Sequence, residues 1–425
     1  MTLDHWLAYI EKQHPANIEL GLDRLRPVYE RMAPVKSAKP TCPVIAVAGT
    51  NGKGSSVAML ASILRAAGHR VGTYTSPHLV HYNERVAIDG RPLDDASLCA
   101  GFEAVEAARG DTPLTYFEYG TLCAFWCLAQ AELDAWILEV GLGGRLDAVN
   151  IIDADVALIT RIGLDHQDWL GDDREKIGFE KAGIMRSGKV VVCSDPQPPA
   201  VIAAQAHNCG AQLLQLGADF DYVTKGAQWD WQCGEASVTG LPRPALMGDF
   251  QLDNAAGVLA VAKLAGLPLA PDNNAIAAGL QQVRLAGRLQ RLADAPEVLL
   301  DVAHNADSAA ALSSSLSANP GAGDTLAVWA MYQDKDIAAV ARIMKGCIDQ
   351  WYVGSLPGPR GAERTGLTAA LTEAGVESGQ IKAYDDPLSA YRAAIAAATD
   401  DDRIVVFGSF ETAGGILAQM QKGLD

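Results

Sequence analysis

The run Val44-Ile45-Ala46-Val47-Ala48-Gly49-Thr50-Asn51-Gly52-Lys53-Gly54-Ser55 joins an apolar, β-branched stretch to a glycine-rich turn that holds one lysine and then opens a helical pattern. Residues of these types bind phosphate. Glycines let backbone N–H groups converge on an anion, a following helix N-terminus adds partial positive charge, and Lys53 adds a full one. The spacing departs from the common nucleotide loop. Val47 stands where G-x-x-x-x-G-K has its first glycine, and Gly54 stands where a metal-binding Ser or Thr would follow the lysine. Another residue must therefore hold a magnesium ion. The plain alternative is an ordinary glycine turn, but the flanks argue against it. Residues 44–47 read as a buried parallel strand, and Val57, Leu60, Ala61 and Leu64 recur at helical spacing.

Three further clusters follow: Thr75-Ser76-Pro77-His78, then Glu139-Val140-Gly141-Leu142-Gly143-Gly144-Arg145-Leu146-Asp147-Ala148, then Gly163-Leu164-Asp165-His166. Each lies at the carboxyl end of a predicted strand, where open α/β sheets bind ligands. A hydroxyl, a carboxylate and an imidazole converging beside the phosphates would suit magnesium, which leaves several coordination positions to water and phosphate oxygens. Glu139 after Ala135-Trp136-Ile137-Leu138 is costly to bury without a cation. For His166 the bland reading, a histidine that caps or packs, is stronger. Its position rather than its residue type favours a role at the site.

The clusters need a sheet to present them, and strand-like and helix-like runs alternate accordingly. Strands are expected at residues 70–75, 135–140, 156–161 and 189–194, and helices at 94–108, 119–133, 175–185 and 200–209. This is the signature of a doubly wound α/β fold. Residues 220–241 change to short alternating segments with Tyr222, Trp229, Trp231 and Val238, read as a small antiparallel meander. Helices at 253–265 and 275–283 follow. Residues 285–296 are taken as the domain boundary, because a new strand at 298–302 begins directly afterwards and opens a second α/β unit. Its further strands are expected at 325–330, 350–354 and 403–408, with alanine-rich helices such as 389–398 between them. Those helices recur with no fixed period, so they are not a repeat array.

With 425 residues, two or three domains are the natural expectation. A hydrophobic fraction of 49% and 41 glycines fit a soluble α/β protein, and no apolar run reaches the length of a membrane span. The first residues mix Asp4, His5 and Glu11 among apolar ones, unlike a signal peptide, so a cytoplasmic location is expected. The eight cysteines form no C-x-x-C pair, and Cys123 and Cys127 lie in an apolar stretch that reads as core. A net charge of −17 argues against nucleic acid or an anionic membrane surface as partner. Anionic substrates must then be captured locally.

Together with Asp301-Val302-Ala303-His304-Asn305, these motifs resemble those of the folylpolyglutamate synthase family, in the bacterial form that is also dihydrofolate synthase. The resemblance runs from residue 18 to residue 410. That family is one of the Mur-ligase-like amide ligases, which join an ATP domain to a C-terminal domain across a cleft. The resemblance implies an α/β protein in two parts. Residues 1–287 would be a P-loop ATP-binding domain with a mostly parallel doubly wound sheet and the small meander, and residues 288–425 a Rossmann-like glutamate-ligase domain.

It also implies roles. Thr50, Asn51, Gly52, Lys53, Gly54 and Ser55 would embrace the triphosphate of ATP, and Ser76, Glu139 and His166 would hold two magnesium ions, with a monovalent cation also admitted. Asn254, Arg288 and Asp301 match ATP-contacting positions, with Asp301 on the ribose side. Lys181 matches a lysine that is carbamylated in the superfamily; the bland reading is a solvated helix lysine. Thr115, Tyr116 and Phe117, with Leu146, Asp147 and Ala148, match the pteroate pocket. There Phe117 would stack on the heterocycle, unless it is simply core, and Asp147 would accept from the heterocycle's N–H groups. His304 and Ser409 match the glutamate side. Lys53, His166, Lys181 and His304 are the residues expected to serve the chemistry.

The implied reaction is ATP-driven amide synthesis. The benzoate carboxylate of 7,8-dihydropteroate takes the γ-phosphoryl group, and the amine of L-glutamate displaces phosphate from the acyl phosphate. Tetrahydrofolates are extended in the same way through their terminal γ-carboxylate. No nucleophilic side chain is required. The domains should close over the acyl phosphate, with residues 284–296 as hinge. Small molecules are the expected partners and a monomer the expected state. The alternatives are a folylpolyglutamate synthase without the first activity, another Mur-type ligase, or a non-catalytic ATP switch. The stretch before Gly49 is read as too short for the uridine-nucleotide domain of the second, and the third leaves Asp301 and His304 unexplained.

Overall fold

Every residue of Val44–Ala48 is small or β-branched and every one is buried, as a strand covered on both faces requires. In the computed structural model, which describes residues 1–14, 18–32 and 40–422, this strand is β1. The others of its sheet are β2 (Val71–Tyr74), β3 (Val86–Ile88), β4 (Arg91–Pro92), β5 (Ala135–Glu139), β6 (Val156–Ile159), β7 (Val190–Cys193) and β8 (Gln212–Gln215). Their spatial order is β4-β3-β2-β5-β1-β6-β7-β8. The pairings from β2 across to β8 are all parallel, and β3 and β4 add an antiparallel edge. β1 lies between β5 and β6, so the turn at Gly49 opens where the strand order reverses, the position at which such sheets bind ligands.

Helix starts have local causes. The expected helix at 119–133 begins earlier, at Tyr116, because the Thr115 hydroxyl accepts the Glu118 N–H while the Glu118 carboxylate accepts the Thr115 N–H. Phe117 therefore sits in the first turn of a helix, not on a loop. The Arg174–Ala182 helix is capped by Asp173, and the Asp95–Arg109 helix by Asp94.

β9 (Asp221–Lys225), β10 (Gln228–Cys233) and β11 (Ala236–Pro242) form the antiparallel meander. Trp229 and Trp231 point to its buried face, and the Trp231 indole N–H donates to Ala256 O at 3.1 Å.

The chain divides into two compact units, Met1–Ala245 with Gln251–Val283, and Leu246–Phe250 with Arg284–Asp425. The second carries β12 (Gln290–Asp294), β13 (Glu297–Leu300), β14 (Thr325–Trp329), β15 (Gln350–Gly354), β16 (Ile381–Tyr384) and β17 (Arg403–Phe407), in the order β12-β13-β17-β14-β15-β16. All neighbours are parallel except β12 and β13. The segment expected as boundary and hinge thus contains a paired strand, β12. Its core includes Trp329, Trp351 and Phe407, all fully buried. Among the described residues no helix is long and apolar enough to cross a membrane.

Candidate active site

The turn after β1 needs its glycines. A Cβ on Gly49 would lie 1.9 Å from Thr160 Oγ1, and one on Gly52, where φ is +94°, would lie 2.3 Å from Asn254 Oδ1. The turn is welded to the end of β6. The Thr50 hydroxyl donates to Gly163 O and accepts the Gly163 N–H, both at 3.0 Å, and Thr160 Oγ1 donates to Asn51 O at 2.7 Å. On the other side Asn254 donates to Gln251 Oε1 at 3.0 Å, and Gln251 to Ser55 Oγ at 3.3 Å. The Lys53–Ala66 helix starts at Gly52 with no side-chain cap, so its first N–H groups and its dipole face the turn. Lys53 Nζ donates to Gly49 O and Thr50 O at 3.0 and 3.2 Å. Thr50, Asn51, Gly52, Lys53, Gly54, Ser55 and Asn254 are thereby gathered around one turn whose N–H groups and lysine suit an anion.

β2, β5, β1 and β6 are neighbours in the sheet, so the loops after them lie side by side. Glu139 ends β5, is 5% exposed, and accepts the Ser76 N–H at 3.2 Å. His166, at φ +52°, follows β6 and begins the Gln167–Leu170 helix, and its N–H donates to Asp165 Oδ1 at 2.8 Å. Among the described residues no three His, Cys, Asp or Glu side chains are gathered as a metal cage. A buried carboxylate, a hydroxyl and an imidazole at adjacent strand ends fit a divalent ion that keeps open positions for water and phosphate.

Lys181 is 3% exposed, so the solvated-lysine alternative does not hold. Its helix packs under the glycine loop after β5. A Cβ on Gly144 would lie 2.8 Å from Glu180 O, and the Arg145 N–H donates to the same oxygen at 2.8 Å. Burial first, then the cation of Lys53, lowers the Lys181 pKa to about 7, against the opposing pull of Asp165 and Asp147.

Phe117 lies across the same glycine loop, since a Cβ on Gly141 would lie 2.4 Å from its Cζ, and its ring centroid is 6.2 Å from that of Tyr74. The Arg85 guanidinium lies 5.1 Å from the Tyr82 ring and 5.6 Å from the Tyr116 ring, and its Nε donates to His78 Nδ1 at 2.9 Å. Asp147 is 2% exposed. Its carboxylate accepts the Leu142 N–H at 2.8 Å and the Val149 N–H at 3.0 Å, and burial raises its pKa to about 6. It therefore ties its own loop together, a role the sequence reading lacked. Ala148 is buried and opens a 3-10 turn, Ala148–Ile151, and Leu146 O accepts the Gly21 N–H.

In the second unit, Asp301 follows β13 and accepts the N–H groups of Leu289 at 2.8 Å and Ala303 at 2.7 Å; burial raises its pKa although Arg288 opposes this. The Arg288 guanidinium lies 5.3 Å from the Phe410 ring, and the His304 ring 6.2 Å from it. His304 Nδ1 donates to Val302 O at 2.8 Å. Arg288, Asp301 and His304 thus share one end of the sheet. The Ser409 hydroxyl, 2% exposed, accepts the Thr412 N–H at 2.9 Å and caps the Phe410–Lys422 helix.

Sequence reading missed Thr160, Gln251 and Arg85. The available signals were a lone hydroxyl ending an apolar strand, an amide three residues before Asn254, and an arginine between two tyrosine-bearing segments.

The Mur ligase middle domain family matches residues 47–262, and the Mur ligase, glutamate ligase domain family matches residues 287–410. The dihydrofolate synthase/folylpolyglutamate synthase of Escherichia coli (strain K12) is 44% identical over 415 residues, which cover 98% of this chain and 94% of that protein. The chain belongs to the dihydrofolate synthase/folylpolyglutamate synthase family of Mur-type ligases. Solved structures of the family agree in fold. E. coli FolC in complex with DHPP and ADP matches with a TM-score of 0.94 at 44% identity, covering 100% of this chain and 99% of that one. A bifunctional folylpolyglutamate synthase/dihydrofolate synthase with Mn, AMPPNP and L-glutamate bound matches with a TM-score of 0.90 at 45% identity, covering 99% and 98%. The α/β architecture expected from strand and helix alternation is the architecture of this family.

Proposed function

We propose that this chain is an ATP-dependent ligase that adds L-glutamate to 7,8-dihydropteroate and extends tetrahydrofolates to polyglutamates. The observation that carries the reading is the anion-binding turn at the switch point of the sheet, flanked by Ser76, Glu139 and His166 at adjacent strand ends. Family membership supports it, as do the relatives solved with DHPP and ADP and with Mn, AMPPNP and L-glutamate.

A carboxylate oxygen of the acceptor attacks the γ-phosphorus, the bond to the ADP oxygen breaks, and an acyl phosphate forms. The amine of glutamate then attacks the acyl carbon, phosphate leaves, and the amine proton passes to solvent or to a nearby base. Lys53 follows the transferring phosphoryl with its charge, and the backbone N–H groups of the turn hold the phosphates that stay behind. Magnesium held by Ser76, Glu139 and His166 supplies charge neutralisation at the phosphates when bound. Thr115, Tyr116, Phe117, Leu146, Asp147 and Ala148 form the pterin side. Arg288 and Asp301 serve ATP, and His304 and Ser409 the glutamate side, Ser409 by shaping the helix start rather than through a spare hydroxyl.

Lys181 is the carbamylation site in this reading. A pKa of about 7 leaves much of its amine neutral near neutral pH. The lone pair of the neutral amine adds to carbon dioxide and one proton is released, which leaves an anion where the cation of Lys53 acts. We assign residues 1–287 to ATP and pterin, and 288–425 to glutamate ligation. All eight cysteines are free thiols, in keeping with a reducing compartment, and we place the reaction in the cytoplasm with a monomer as the acting form.

Phosphate release tests the function. It should require ATP, glutamate and a pteroate-like or folate acid together. Release that is equally fast without either co-substrate would make the chain an ATPase or a switch, and release only with folates would limit it to polyglutamate extension.

A further inference from the structure

The short segment from Glu19 to Arg24 touches both elements assigned above to the pterin. On one side Gly21 donates its N–H to Leu146 O at 3.1 Å, next to Asp147. On the other, Arg24 grips the carboxylate of Glu118, with Nη2 2.9 Å from Oε1 and Nε donating to Oε2 at 3.3 Å. Glu118 is 3% exposed and belongs to the reciprocal cap that starts the Tyr116–Ala129 helix. Phe117 is the residue directly before it.

Arg24 is itself held in place. Its Nη2 donates to Glu19 O at 2.8 Å, and its Nη1 pairs with the Glu19 carboxylate. The helix that follows, Leu25–Met32, is fastened by Leu25 and Val28, both fully buried, and by Arg31 Nε donating to Ala108 O at 2.6 Å. The segment is thus a strap with a fixed far end, tied across the start of one pterin-side element and the backbone of the other.

We propose that Arg24 is a positioning residue for the pterin subsite. Through Glu118 it sets the first helical turn that carries Phe117, and through the strap it shares with Gly21 it sets the Leu146 backbone beside Asp147. This rests on the dihydropteroate reading given above. The two roles of Glu118 are separable by chemistry. A glutamine at the third helical position still closes a reciprocal cap, but it cannot pair with a guanidinium as an ion. Loss of this ion pair also leaves a buried carboxylate without its charge partner, so the local geometry relaxes where the ligand ring would lie.

The test uses the full chain with Arg24→Ala, Arg24→Lys and Glu118→Gln. Steady-state kinetics are measured with dihydropteroate, ATP and glutamate varied in turn, alongside the thermal midpoint. Arg24→Ala and Glu118→Gln should raise the dihydropteroate KM by about tenfold or more while kcat and the ATP KM stay within about twofold. Arg24→Lys should fall between, because an ammonium keeps the charge and loses the fork. An unchanged dihydropteroate KM in both Arg24→Ala and Glu118→Gln overturns the role. So does a parallel loss of kcat and of every KM together with the thermal midpoint, which is the behaviour of a pair that merely stabilises. If Arg24→Ala does not fold, Glu118→Gln and Arg24→Lys give the same reading. A wild-type chain that does not use dihydropteroate overturns the substrate reading and this role with it, and is recognised because the failure precedes any substitution.

Discussion

Lys181 is buried where the cation of Lys53 acts on it, and its pKa falls to about 7. Burial and the neighbouring Lys53 thus drive Lys181 toward the neutral amine. In bicarbonate-free buffer the folded pKa lies below the ordinary 10.5, so the unfolded chain binds the extra proton between about 7 and 10.5. The stability contribution of Lys181 should therefore rise with pH through that window. Lys181→Met should be more stable than wild type at neutral pH, with the gap closing toward pH 10.5 in denaturant titrations. With carbon-13 bicarbonate added, a carbamate resonance should appear in wild type and be missing from Lys181→Met. Lys181→Ala should lose turnover, with partial return on adding a short carboxylate. Absence of the resonance in wild type together with full activity of Lys181→Ala would remove the carbamate from the mechanism.

Gly52→Ala should abolish nucleotide binding. It places a Cβ 2.3 Å from Asn254 Oδ1 at a backbone with φ +94°. Adding Asn254→Ala relieves the clash and not the backbone strain, which costs about 1 kcal/mol or more for a non-glycine residue. Rescue by the second substitution should thus be partial at best. ADP binding by calorimetry reads both variants, and full affinity in Gly52→Ala would contradict the turn's role. Lys53→Ala is the gentler companion. It should retain the fold and cut turnover by roughly 100-fold or more, since it removes charge stabilisation without touching the glycines.

Replacing Glu139 or His166 by Ala should shift the magnesium dependence of the initial rate to higher concentration. Glu139 accepts the Ser76 N–H, so its loss also frees the backbone that presents the hydroxyl. Magnesium titration curves identical to wild type in both variants would exclude the pair from the metal site.

Asp147 offers a sharper distinction. Its carboxylate already accepts two backbone N–H groups, and a hydrogen bond to a charged group is worth roughly 1.5–3 kcal/mol. Asp147→Ala should raise the dihydropteroate KM by about 10- to 100-fold, with a smaller effect on folate extension. Equal losses with both acceptors would mean that Asp147 acts by holding the glycine loop for the shared chemistry. Its raised pKa also fixes a sign. Between 3.8 and about 6 the folded chain binds the extra proton, so this group's contribution to stability falls as pH rises through that window. Comparing wild type with Asp147→Asn in urea across that range checks it.

What the sequence alone determined is the interior of the fold and which residue types stand at its strand ends. β1, β2, β5, β6, β7, β13, β14, β15 and β17 were legible because strands buried on both faces must be continuous apolar runs. The strands that escaped notice, β3, β4, β8, β12 and β16, lie at or next to sheet edges, where side chains face water and the pattern fades. Gln290–Asp294 looked like a linker for that reason. That the lysine turn, Ser76, Glu139 and His166 lie at or beyond strand ends was legible because the apolar runs decide where the strands stop. Tertiary structure alone decided what surrounds them. It buried Lys181, bound the Asp147 carboxylate to its own loop, closed the Ser409 hydroxyl into a helix cap, and laid the strap of Arg24 against Glu118, which lies 94 residues away in the chain. The Arg24–Glu118 pair joins segments distant in sequence, whereas the Asp147 and Ser409 bonds are local and close only in the loop conformation that the surrounding packing imposes, so no periodic pattern encodes either kind.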